Sequence, residues 1–206
     1  MALIEFCFGV SDFMVKTVLK LVVALLLAAC AGRAVAQDSY DFGLDEVRGG
    51  LFFHSVDHAP PSALFGLIDT SRLQDANVEL LFRPLDLGEW NWLGEFRPHV
   101  GATLNFGGLE SQIYAGLSWT YHIAGGPVFV EGSFGAALHN GAASGAVYPA
   151  RNLGCSPLFR ESASIGYDIT EQANIMLTVE HSSHAGLCGP TNAGITNLGI
   201  RAGWKF

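Results

Sequence analysis

Residues Ile113–Ile123 read IYAGLSWTYHI. Ile113, Ala115, Leu117, Trp119, Tyr121 and Ile123 share one parity, and Tyr114, Ser118, Thr120 and His122 share the other. Successive side chains of an extended chain point to opposite faces, so period two over such a stretch predicts a strand. Its length is also that of a tilted strand crossing a bilayer, about 9–11 residues.

The same pattern recurs on both sides. Phe96, Pro98, Val100, Ala102, Leu104 and Phe106 alternate with Arg97, His99, Gly101, Thr103 and Asn105. Val128, Val130, Phe134, Ala136 and Leu138 stand against Glu131, Ser133 and Gly135, and Phe159, Ala163, Ile165, Tyr167 and Ile169 against Arg160, Ser162, Ser164 and Asp168. The polar faces carry small and charged residues, as a narrow barrel interior requires. The spacing predicts eight strands, near 46–56, 77–85, 92–106, 111–123, 127–139, 157–169, 173–184 and 196–206. The expected fold class is therefore all-β, an eight-stranded antiparallel outer-membrane β-barrel, closed because lipid tolerates no unpaired sheet edge.

Connection lengths set the orientation. Those near 86–91, 124–126 and 170–172 are short, and those near 57–76, 140–156 and 185–195 are long, the one near 107–110 being the exception. Short periplasmic turns and long external loops are usual for such barrels. Trp90, Trp92, Tyr121, Tyr167, Trp204 and Phe206 then gather near the periplasmic rim, where an aromatic girdle belongs. Leu198, Ile200, Ala202, Trp204 and Phe206 resemble the carboxy-terminal signal read by the outer-membrane barrel assembly machinery.

The amino-terminal region reads as an export signal. Lys16 and Lys20 precede an uncharged run from Leu21 to Gly32, and Ala34-Val35-Ala36 is a small-x-small cleavage site. Residues 1–36 are expected to be extension and signal peptide, with Met14 the natural start, and 37–206 the barrel domain. A lipoprotein reading, with Leu27-Ala28-Ala29-Cys30 as the cleavage box and Cys30 lipidated, stays open. Cys155 and Cys188 remain in the exported chain as an even pair, which suggests a disulfide. The formal net charge of −8 argues against nucleic acid as a partner.

Within the seventh strand, Ile175, Leu177 and Val179 take the outward parity, and Thr178, Glu180 and Ser182 the inward one. His181 and Ser183 continue the outward parity at the external end. An imidazole there can take the proton of a serine hydroxyl and create a nucleophile for an ester carbonyl. The plainer reading is that both residues lie at the headgroup level, beyond the hydrocarbon.

The stretch HSSHAGLCGPTNAGI, His181 to Ile195, resembles the signature of the lipid A 3-O-deacylase (PagL) family, also called acyloxyacyl hydrolases. The resemblance implies an eight-stranded outer-membrane barrel with a lipid-facing serine-esterase site on its last two strands. It implies lipid A of outer-leaflet lipopolysaccharide as the partner, and no cofactor. By this likeness His181 is the base and Ser183 the nucleophile, and Asn192 with the backbone around Gly186 serves the oxyanion. Two positions depart from the pattern. His184 stands where the family commonly has Asn, and Thr196 where an acid is expected; Asn197 takes that place only under a shifted register. The competing expectation is a non-catalytic barrel with a structural or adhesion role.

Glu95, Arg97, His99, Glu131, Arg160, Asp168 and Glu180 are expected to point inward and fill the barrel with salt bridges. His54, Asp57 and His58 read as a polar loop rather than a metal site, and no nucleotide-binding loop or zinc-type cysteine spacing occurs.

Overall fold

The computed structural model describes residues 43–56 and 70–206. The signal segment, Cys30, Asp57 and His58 lie outside the described residues. Eight antiparallel strands close into one barrel, each paired with its sequence neighbour and the last with the first. They are β1 (Leu44–Phe53), β2 (Leu73–Phe82), β3 (Glu95–Asn105), β4 (Gln112–His122), β5 (Val128–His139), β6 (Leu158–Asp168), β7 (Ala173–Ser183) and β8 (Ile195–Lys205).

The first two strands begin earlier than the alternation suggested. Polar Gln74, Asp75 and Asn77 look like loop in the sequence, yet Asp75 and Asn77 are buried because they point into the barrel. β2 stops at Phe82, two residues before Pro84, which cannot donate to a ladder. β1 stops at Phe53 because the chain turns at Ser55, whose φ is 54°. β3 begins at Glu95 because Gly88–Leu93, with Trp90 and Trp92, winds into a short 3-10 turn.

Charged and polar side chains occupy the barrel interior. Glu46, Glu79, Glu131 and Glu180 are buried among Arg48, Arg97, Arg160 and Arg201, so this cluster of acids and guanidiniums is balanced in charge. Arg48 reaches Glu46 at 2.8 Å and Glu131 at 2.6 Å, Arg97 reaches Glu46 at 2.7 Å, and Arg160 reaches Glu180 at 2.6 Å. Tyr114 donates to Glu79 at 3.0 Å, and the Arg160 guanidinium lies 3.6 Å over its ring. Unpaired charges could not be buried this deeply; paired and hydrogen-bonded, they can.

Two expected interior residues sit at the barrel mouth instead. The Glu95 side chain is half exposed, and Asp168 is partly exposed and bound to His122 and Lys205. Both occupy terminal rows of their strands, where the inward face already meets water. The expected aromatic rim is present: Trp90, Trp92, Tyr121, Tyr167, Trp204 and Phe206 are all exposed, and Trp119 stacks on Tyr121 with ring centroids 6.2 Å apart.

Candidate active site on the outer wall

β7 alternates strictly. Ile175, Leu177 and Val179 are exposed, while Asn174, Met176, Thr178, Glu180 and Ser182 are buried. The polar face is inward because each of its members finds a partner there; Ser182 donates to Gln112 at 2.8 Å and Glu180 accepts from Asn197 at 3.0 Å. His181 and Ser183 therefore stand on the outer wall, at the end of β7 that leads into the long connection to β8.

β8 holds the facing residue. Ile195 turns inward and joins Leu153 and Leu158 in a small apolar cluster under the external loops. That anchoring fixes the parity of the strand and sends Thr196 outward. Thr196 is the register partner of His181, and its Oγ1 lies 2.8 Å from His181 Nδ1. With Nδ1–H donating to the hydroxyl, Nε2 is the ring atom left to accept a proton. Asn197 faces the interior, where it binds Glu180 and accepts from the Ser55 backbone at 2.9 Å. The shifted register that would bring it to His181 does not occur.

Gly194 closes the site from the loop. Its φ is 64°, a conformation that favours glycine, and a Cβ there would come within 2.9 Å of His181 Cε1. The imidazole is thus held between a hydroxyl and a bare backbone. Among the described residues no hydrogen bond joins Ser183 Oγ to His181; the two side chains share a face at i and i+2, about 6–7 Å apart along the strand.

The loop is organised by His184. His184 is 2% exposed. Its Nε2–H donates to the Thr191 carbonyl at 2.6 Å, and its Nδ1 accepts from Cys188 N–H at 3.3 Å. Its own N–H donates to Asn192 Oδ1 at 3.3 Å. That bond brings the Asn192 carboxamide beside the residue that follows Ser183. Gly186 occupies a turn of this loop with φ 78°. The Cys155–Cys188 disulfide is formed, with Cα atoms 6.0 Å apart, and ties the loop to the segment before β6. His139 donates to the Cys155 carbonyl at 2.8 Å and braces the same corner.

Neighbours on β6 and β5 complete the wall. Ser183 is paired in register with Phe159, which stacks on Phe134 with centroids 5.9 Å apart. Glu161 is the other register partner of His181. Reading each strand alone misses these neighbours, because pairing partners are not visible in a single alternation.

His54 belongs to a separate cluster at the external end of the barrel. Its Nδ1 is 2.9 Å from Asp75 and its Nε2 3.3 Å from Glu110. Burial opposes its charge, but the hydrogen bonds and charges of the two carboxylates prevail and raise its pKa to about 9. Among the described residues no group of His, Cys, Asp or Glu is arranged to hold a metal ion.

The family model for lipid A 3-O-deacylase (PagL) matches residues 78–205. The chain belongs to this family. The crystal structure of the outer membrane enzyme PagL is 18% identical, covers 78% of this chain and 99% of its own, and superposes with a TM-score of 0.55. At that identity the likeness shows a shared fold, the closed outer-membrane barrel. Neisserial surface protein A is 12% identical over 78% of this chain and 95% of its own, with a TM-score of 0.46. A de novo designed transmembrane β-barrel is 9% identical over 82% of this chain and 100% of its own, with a TM-score of 0.45. A search of curated protein sequences gave no match.

Proposed function

We propose that this PagL-family barrel is an outer-membrane serine esterase that removes the ester-linked 3-O acyl chain of lipid A. The observation that supports it most is the outward His181–Thr196 pair, with Nδ1 bonded to a hydroxyl and Ser183 next on the same face.

The depth suits the substrate. From the Tyr167 row to the His181 row is about 20 Å along β6, or about 15 Å of height at the usual tilt. The apolar band of such barrels is about 25 Å tall. With the aromatic rim facing the periplasm, the pair lies in the outer-leaflet half, where lipid A resides. The stacked Phe134 and Phe159 offer an apolar bed for an acyl chain beside Ser183.

In this reading Ser183 Oγ attacks the ester carbonyl carbon and gives its proton to His181 Nε2. The carbonyl oxygen becomes an oxyanion, met by the Asn192 Nδ2 donors and backbone N–H groups near Gly186. The tetrahedral intermediate collapses and breaks the bond to the sugar oxygen, which takes the proton back from His181. Water, deprotonated by His181, then attacks the acyl-serine and releases the fatty acid. Export through a cleaved signal and insertion by the barrel assembly machinery belong to the same proposal. The competing reading, a non-catalytic structural or adhesion barrel, draws on the absence of a carboxylate at Thr196.

Mass spectrometry of lipid A from cells expressing the chain tests the proposal. The wild type should shift lipid A by the loss of one hydroxyacyl group. Ser183→Ala and His181→Ala should leave lipid A intact while remaining folded, heat-modifiable barrels. Intact lipid A in all three would favour the structural barrel.

A further inference from the structure

His181 has a register partner on each side: Thr196 on β8 and Glu161 on β6. The row continues to Phe134 on β5 and Leu117 on β4. Along the outward faces of β4 to β8, Glu161 and His181 are the two side chains that carry a carboxyl or a basic group. They stand next to each other.

A carboxylate on a lipid-facing wall is costly unless something opposes its charge. Glu161 is exposed between Phe159 and Ala163 on its own strand, with Phe134 beside it on β5. Among its register partners, Phe134 and His181, the one that can become cationic is His181. Directly opposed residues in antiparallel strands have Cβ atoms about 4.5–5.5 Å apart, within reach of a glutamate side chain.

We propose that Glu161 supplies the negative charge of this site, as a positioning residue that faces the His181 imidazole from the side opposite Thr196. The inference rests on the esterase reading above. Thr196 sets the ring angle through Nδ1, and Glu161 opposes the positive charge that forms when Nε2 takes the proton of Ser183. The acid missing from β8 is thereby replaced across the other strand boundary. Among the described residues, the other register and diagonal neighbours of His181 do not offer this charge. From β6 come Phe159 and Ala163, from β8 Thr196 and Leu198, from the loop Gly194, and from its own strand Val179 and Ser183. Glu180 lies behind the wall, paired with Arg160 at 2.6 Å and Arg201 at 3.4 Å.

The test uses purified, folded wild type, Glu161→Gln, Glu161→Asp and Ser183→Ala in vesicles containing lipopolysaccharide, assayed from pH 5 to 9. Glu161→Gln should lose roughly 10–100-fold in kcat. Its KM should stay within about twofold, because Glu161 acts on the charge that forms in the transition state rather than on substrate binding. Glu161→Asp should recover much of the rate. A merely structural role would reduce the yield of folded barrel and leave kcat of the folded fraction unchanged, with no rescue by Glu161→Asp. Glu161→Met, which suits a lipid-facing wall, repeats the measurement if Gln impairs folding. A Glu161→Gln enzyme within twofold of wild type in kcat, while Ser183→Ala is inert, overturns this proposal and leaves the esterase reading standing. If wild type is as inert as Ser183→Ala, the esterase reading fails and this proposal falls with it.

Discussion

At the scale of single residues, the site is defined by what holds His181. One side of the ring is bonded to Thr196, and Gly194 leaves no room on another. Thr196→Val keeps the shape and removes the acceptor, and should slow ester cleavage about tenfold, as loss of one modest hydrogen bond does. Gly194→Ala combines a strained φ with a contact on the imidazole; it should lower kcat while leaving the barrel's heat-modifiable mobility unchanged. His54 gives a pH effect of the opposite kind. Its folded pKa of about 9 lies above the unfolded value, so its contribution is fully present below about pH 6.5 and is lost as pH rises through 9. Protection factors at the external ends of β1 and β2, taken relative to the intrinsic exchange rate at each pH, should therefore fall between these pH values, by an amount on the order of 1–3 kcal/mol. His54→Gln should remove the dependence. Of this detail, the outward parity of His181 and Ser183 was legible in the sequence, because alternation alone decides it. The partner of His181 was legible in part: the family signature put Thr196 at the expected acid position, whereas Glu161 reaches His181 only through register, and register is fixed by which side chains the interior accepts.

At the scale of elements, the β7–β8 connection carries most of the information. Its ends are set by strands, but its path is set by His184 and by the disulfide. His184 serves the loop by accepting from Cys188 and donating to Thr191. Reduction of Cys155–Cys188 should leave the barrel closed and loosen this loop, with a cost of about 2–4 kcal/mol to its ordered state. Peptide-level hydrogen exchange before and after reduction should show the change confined to residues 140–157 and 184–194. The even cysteine pair made the bridge legible. The role of His184 was hidden, since it depends on the loop folding back on itself. β2 was misplaced at its start for a related reason: an inward polar run and a loop have the same composition.

At the scale of the whole molecule, the interior is a balanced ionic core inside an apolar sleeve. The sequence announced that the inward face was charged. It did not announce that Glu46 and Arg48 belong to the set, because the alternation of β1 is interrupted by Gly49, Gly50 and a register shift at Phe52–Phe53; Glu79 of β2 and Arg201 of β8 complete it. Removing one partner leaves a buried charge unpaired. Arg48→Met should destabilise the barrel by about 3–5 kcal/mol and lower its unfolding midpoint in denaturant. The seam between β1 and β8 is equally tight: a Cβ on Gly199 would lie 2.3 Å from the Phe52 ring, so Gly199→Val should impair closure. Such a rigid wall gives the outward pair a fixed geometry, as a catalytic constellation requires.

The most direct test of the esterase reading is the release of free hydroxy fatty acid from purified lipopolysaccharide by the folded wild-type barrel in vesicles, measured beside folded Ser183→Ala. The expected result is one fatty acid released per lipid A by the wild type and a loss of several orders of magnitude in Ser183→Ala. Equal release by the two barrels, or none from either, would contradict it.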